Sequence, residues 1–187
     1  MFTKLSQRST SWWVCVMMTS ALSACVLTVF VYTVHAVDNQ AAVMSGTSDC
    51  FTWSASAKVD SFTQQSGCTY KATSSHSISV TSRRNANQGI NWSYGLTVNK
   101  SNKPGNPIAC QQPSGNPVLD PPDGTQYSQQ VGPFANYSHS NTLSGTWNLT
   151  PGVANCIYDV FAYTNLTECG VNHDPHDPES ETVPLCN

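Results

Sequence analysis

The chain has 187 residues, of which 10% are charged, and a formal net charge of −3. That length suits one domain able to bury a core. Arg83-Arg84 is the only adjacent basic pair, so nothing clusters Lys and Arg against phosphates, and nucleic acid is not expected as a partner.

The first 36 residues read as an address. Lys4 and Arg8 precede an apolar run from Trp12 to Val34, which ends at Val34-His35-Ala36. A positive start, an apolar middle and a small-residue exit make a secretory signal peptide over residues 1–36. Roughly 20 apolar residues also suffice to span a bilayer. The same run retained as an uncleaved anchor would hold the chain at a membrane through residues 12–34. A lipoprotein signal at Leu22-Ser23-Ala24-Cys25 is a third reading. Each places residues 37–187 outside the cytoplasm as a single extracellular domain. A membrane is a partner only if the leader stays.

Period-two alternation dominates after the leader, and no helical stripe appears. Phe51, Trp53, Ala55 and Ala57 alternate with polar residues. So do Cys68, Tyr70 and Ala72, and then Ile78 and Val80. The clearest run is Ile90, Trp92, Tyr94, Leu96 and Val98 on one face, with Asn91, Ser93, Gly95, Thr97 and Asn99 on the other. It predicts a strand with one dry and one wet face. Leu143, Gly145, Trp147 and Leu149 form another run. The segment from Cys156 to Tyr163 is apolar on both faces apart from Asp159, which belongs in the middle of a sheet. In-phase Trp53, Trp92 and Trp147 are expected in the core.

Two stretches break this pattern. Residues 102–133 hold seven of the eleven prolines and read as a long loop insertion tethered by Cys110. Tethered loops of this length favour function. Tyr127, Phe134 and Tyr137 flank it and are the expected contact surface. Residues 170–187 carry Asp174, Asp177, Glu179 and Glu181 without Lys or Arg, and read as an irregular acidic tail fastened by Cys186.

Cys50, Cys68, Cys110, Cys156, Cys169 and Cys186 remain after the leader. An even count in an oxidising compartment predicts three disulfides. Spacing alone makes neighbours of Cys156 and Cys169, and of Cys50 and Cys68, without choosing among the pairings. Five Asn-x-Ser/Thr sequons, at Asn91, Asn99, Asn136, Asn148 and Asn165, are the expected glycan carriers. Asn91, Asn99 and Asn148 fall on wet strand faces.

Short strands joined by Gly/Pro turns predict an all-β, disulfide-stapled antiparallel β-sandwich. Leu149-Thr150-Pro151-Gly152 and Tyr158-Asp159-Val160-Phe161-Ala162 resemble the L-x-P-G turn and Y-x-V-x-A strand of a fibronectin type III or immunoglobulin-like domain. The resemblance implies a scaffold for adhesion or ligand binding rather than an active site.

Catalytic patterns are sparse. No G-x-S-x-G elbow, glycine-rich phosphate loop or H-E-x-x-H occurs. His173-Asp174-Pro175-His176-Asp177 offers metal-type ligands, but on a proline-interrupted tail, and no metal or cofactor is expected. Asp120 and Asp123 read first as turn chemistry. The expected function is a secreted, glycosylated binding or adhesion protein for an extracellular protein or glycan. The alternatives are a small secreted polysaccharide hydrolase using Asp120, Asp123 or Asp159, or a structural coat or matrix protein.

Overall fold

A computed structural model describes residues 40–114, 119 and 122–186. The leader over residues 1–36 lies outside them, as does Asp120. Nine strands run through the described residues: β1 (Ala42–Thr47), β2 (Phe51–Ser66), β3 (Thr69–Ser82), β4 (Gln88–Lys100), β5 (Gln126–Val131), β6 (Asn136–Asn148), β7 (Cys156–Glu168), β8 (Val171–His173) and β9 (His176–Val183). One sheet has the order β1-β2-β3-β6. The other has β5-β4-β7-β8, with β9 also paired to β7. All pairings are antiparallel. The chain is a disulfide-stabilised β-sandwich.

The alternating runs produce this directly. Phe51, Ala55, Ala57, Val59, Tyr70, Ala72, Leu96, Leu143, Tyr158, Val160 and Ala162 are fully buried, and Trp53, Trp92 and Trp147 join them. Each fully buried large aliphatic or aromatic side chain contributes about 2–3 kcal/mol. The apolar runs at Tyr70 and Ile78 belong to one strand, β3. The two inward positions between them, Ser74 and His76, are polar and buried. As expected, β7 is central, with β4 on one side and β8 and β9 on the other.

Much of the outer face of the first sheet is hydroxyl. Thr52, Ser54 and Ser56 on β2 oppose Thr81, Ser79 and Ser77 on β3. These in turn oppose Asn136, Ser138 and Ser140 on β6. Side chains this short stay close to the sheet, and the Ser56 and Ser77 hydroxyls lie 2.7 Å apart.

The expected three disulfides form, with different partners from those that spacing favoured. Cys50 bonds Cys169, Cys68 bonds Cys186, and Cys110 bonds Cys156. Cys50 and Cys68 lie just beyond the two ends of β2, so each staples the first sheet to a segment of the second. Sequence distance misleads here because a sandwich brings residues more than a hundred positions apart face to face.

Two further expectations are corrected. The 102–133 segment is not all loop: its last part forms β5, which pairs Tyr127 with Trp92. The rest is pinned. Asn106 accepts from Ile157 N at 2.9 Å and donates to Ile157 O at 3.0 Å, which mimics a strand partner. Tyr158 OH donates to Gln111 O at 3.0 Å. Leu119 is buried against Gly145, where a Cβ would come within 2.5 Å of its side chain.

The acidic tail is also ordered. It makes β8 and β9, and β9 is an edge strand with Asp177 and Glu181 turned inward. Pro178 and inward acids are standard devices for blunting an edge against further pairing. Asp177 has a second task. The β2–β3 register shifts between Val59 and Ser61, and Asp177 Oδ2 accepts from Val59 N at 2.8 Å. This bond joins the last strand to the opposite sheet. Asp177→Ala is expected to lower the unfolding free energy by about 2 kcal/mol, read from urea denaturation at pH 7, because a buried donor loses a charged acceptor.

Candidate functional site

The edges β5 and β6 leave one side of the sandwich filled by rings rather than by backbone pairing. Tyr127 on β5, Trp92 and Tyr94 on β4, and Tyr137 and His139 on β6 all turn inward there. Trp92 stacks on Tyr127 with centroids 5.5 Å apart and meets Tyr137 at 5.4 Å and His139 at 5.2 Å. The Tyr94 hydroxyl lies 3.0 Å from His139 Nδ1 and 3.3 Å from its carbonyl oxygen. Burial, aided by the Tyr137 and Tyr127 hydroxyls, pushes Tyr94 above the ordinary phenol range, so it stays protonated.

Deeper in, His76 stacks on Tyr94 at 5.2 Å and bridges the two sheets. Its Nδ1 is 3.2 Å from Thr164 Oγ1, which itself donates to Ser56 O at 2.6 Å. Thr164 therefore accepts from Nδ1–H. That leaves Nε2 to accept from Ser74 Oγ at 2.7 Å. The imidazole is neutral, and burial lowers its pKa to about 4. This buried polar chain explains the break in the β3 apolar pattern.

The three expected contact residues therefore divide. Tyr127 and Tyr137 are partly buried members of the aromatic cluster. Phe134 stands apart, 64% exposed in the β5–β6 turn. Its backbone is left-handed, φ 51°. Phe134 N donates to Arg84 O at 3.2 Å and Ala135 N to Gly132 O at 3.2 Å. Those bonds hold an aromatic residue in a conformation that costs about 1–2 kcal/mol.

The other named groups serve local structure. Asp123 Oδ1 accepts from Leu96 N and from Tyr163 OH, both at 3.3 Å. Tyr163 lies over Gly95, where a Cβ would come within 2.0 Å of the ring. Burial first, and then Asp123, push Tyr163 up to about 12. Asp159 accepts from Ser180 Oγ at 2.5 Å.

The residues of the His173-Asp177 run point to different places. His173 Nε2 lies 3.1 Å from the buried Glu168, and its ring stacks on Trp53 at 3.7 Å. His176 Nδ1 lies 3.1 Å from Asp174 O, and Asp177 belongs to Val59. Glu168 also approaches Cys50 and Cys169, but those sulfurs are bonded to each other.

The outer face of the second sheet carries a hollow of about 430 Å³ lined by Asn91, Ser93, Gln126, Asn165, Thr167 and Asn172, with Trp92 beneath. Of the sequons, Asn91, Asn99, Asn136 and Asn148 are exposed and Asn165 is half-buried. Gln126 and Asn172 were invisible as site residues because they lie in the two segments read as loop and tail.

No family model matches the chain, and no curated protein sequence matches it. Among solved structures, the GAE domain of GGA2p from Saccharomyces cerevisiae is similar at TM-score 0.29 and 14% identity. That likeness covers 78% of this chain and 99% of that one. At this level it carries no argument about fold or function. The sandwich rests on the strand pairing. Three disulfides suit an oxidising, extracellular environment.

Proposed function

We propose that the chain is a secreted, glycosylated binding or adhesion domain that recognises an extracellular protein or glycan through the β5–β6 turn. The observation that carries this reading is Phe134, an exposed aromatic held at φ 51°. Strain of this kind persists where the surroundings impose it and clusters at ligand-contacting positions. Tyr137, three residues after Phe134 on β6, packs on Trp92 in the aromatic cluster. Aromatic anchors of this type dominate binding energy at interfaces. Asn99, Asn136 and Asn148 offer exposed amides as glycan carriers.

Stability and binding should separate at this residue. Phe134→Gly relieves the left-handed strain and is expected to raise the unfolding free energy by about 1 kcal/mol. The same change is expected to abolish retention on an array of extracellular proteins probed with the purified domain. Unchanged retention by a stabilised Phe134→Gly protein would refute the contact role.

A further inference from the structure

The hollow on the outer face of the second sheet is a regular grid. Strand register places Gln126, Ser93 and Asn165 in one row, because Ser93 opposes both Gln126 and Asn165. It places Asn91, Thr167 and Asn172 in the next, because Thr167 opposes both Asn91 and Asn172. Rows two residues apart are separated by about 7 Å, and neighbours within a row by about 5 Å. The grid thus presents six hydrogen-bonding side chains over roughly 7 by 10 Å, the footprint of one or two sugar rings.

No lining residue is charged, so the grid has nothing to neutralise an ionic ligand. Each carboxamide offers two donors and an acceptor. Thr167 Oγ1 donates to Asn172 Oδ1 at 3.1 Å. Among the described residues, the amides of Asn91, Gln126 and Asn165 make no hydrogen bond to the protein. A volume of about 430 Å³ falls within the range of small-ligand sites, roughly 300–1,000 Å³. The next outward row brings Tyr163, opposite Gly95, as an aromatic rim on which the apolar face of a sugar can rest.

We infer that this hollow seats a neutral saccharide. It is separate from the Phe134 turn and does not depend on that reading. The sugar has two possible sources. Asn91 and Asn165 each head a sequon, so an N-glycan attached to either begins inside the grid. If both are unmodified, an external neutral oligosaccharide has the same groups to meet.

The test uses two preparations of the disulfide-bonded chain, one made without N-glycosylation and one with it. Both are applied to an array of neutral hexose and N-acetylhexosamine oligosaccharides. An external ligand is shown if the unglycosylated chain binds and if Gln126→Ala and Asn172→Ala each weaken binding by about tenfold. A resident glycan is shown if sugar on Asn91 or Asn165 resists endoglycosidase far longer than sugar on Asn99, Asn136 or Asn148, and if Gln126→Ala removes that protection. The inference fails if the unglycosylated chain binds no neutral saccharide and no sequon sugar is protected. Loss of array binding on Phe134→Ala, with Gln126→Ala silent, would assign the sugar to the turn and overturn the hollow.

Discussion

Replacing Cys50 and Cys169 by alanine is expected to lower the unfolding free energy by about 4 kcal/mol while leaving the sandwich folded. The bond joins residues 119 positions apart, yet the relevant loop is shorter. With Cys68–Cys186 intact, the unfolded chain already connects Cys50 to Cys169 through about 35 residues, and closing a loop of that length costs just under 4 kcal/mol in the chain-entropy treatment. Removing Cys68–Cys186 as well opens a much longer loop, and the combined loss rises to about 8 kcal/mol. Domains of this kind hold roughly 5–15 kcal/mol in total, so the combined loss is comparable with the whole stability of the fold. Urea titrations of the two single-bond variants and the combined variant, under non-reducing conditions, give the result. Equal urea midpoints for the parent and the Cys50/Cys169 variant would contradict the stapling role.

Acid should weaken the fold through His76. In the unfolded chain a histidine titrates near 6.5. In the folded chain burial lowers His76 to about 4. Between those values the unfolded state binds a proton that the folded state refuses. Stability is therefore complete above about pH 6.5, falls as pH drops, and levels off below about pH 4. The pKa difference corresponds to about 3 kcal/mol. Ser74 and Thr164 fix the neutral tautomer, and the facing ring, Tyr94, carries no charge. Glu181 acts in the opposite sense: burial raises its pKa, so the folded state gains relative to the unfolded one as Glu181 takes up its proton. Comparing parent with His76→Gln isolates the histidine. The glutamine variant is expected to be less stable at pH 7 but to lose far less between pH 6.5 and pH 4. Parallel pH profiles for the two proteins would remove His76 from the account.

Legibility in the sequence followed the apolar alternation closely. β2 and β4 show in the sequence because their inward positions are Phe, Trp, Tyr, Leu, Ile, Val or Ala, and β6 and β7 show where such residues run, from Leu143 to Leu149 and from Cys156 to Tyr163. β3 shows only at its ends, since Ser74 and His76 replace apolar residues at two inward positions. β5 and β9 fall outside the pattern for the same kind of reason. The β5 segment Gln126-Tyr-Ser-Gln-Gln-Val offers two apolar side chains, and β9 turns Asp177 and Glu181 inward. Edge strands need fewer apolar contacts because a neighbour's backbone supplies the template. Of the candidate site, Phe134 was legible as an aromatic beside a turn. The sugar-sized grid was not, because Gln126 lies on β5 and Asn172 on β8, another strand outside the apolar pattern.

By itself, the sequence determined an all-strand body with its tryptophans inside and an even set of cysteines ready to pair. Those properties depend on neighbours two residues apart and on counts, which the chain carries locally. Which cysteine meets which, what His76 and Asp177 bond, and which amides share a face were decided only when the two sheets closed on each other. Each of those depends on residues up to about 120 positions apart, and register across a sandwich is set by the packing of both sheets together rather than by any one segment.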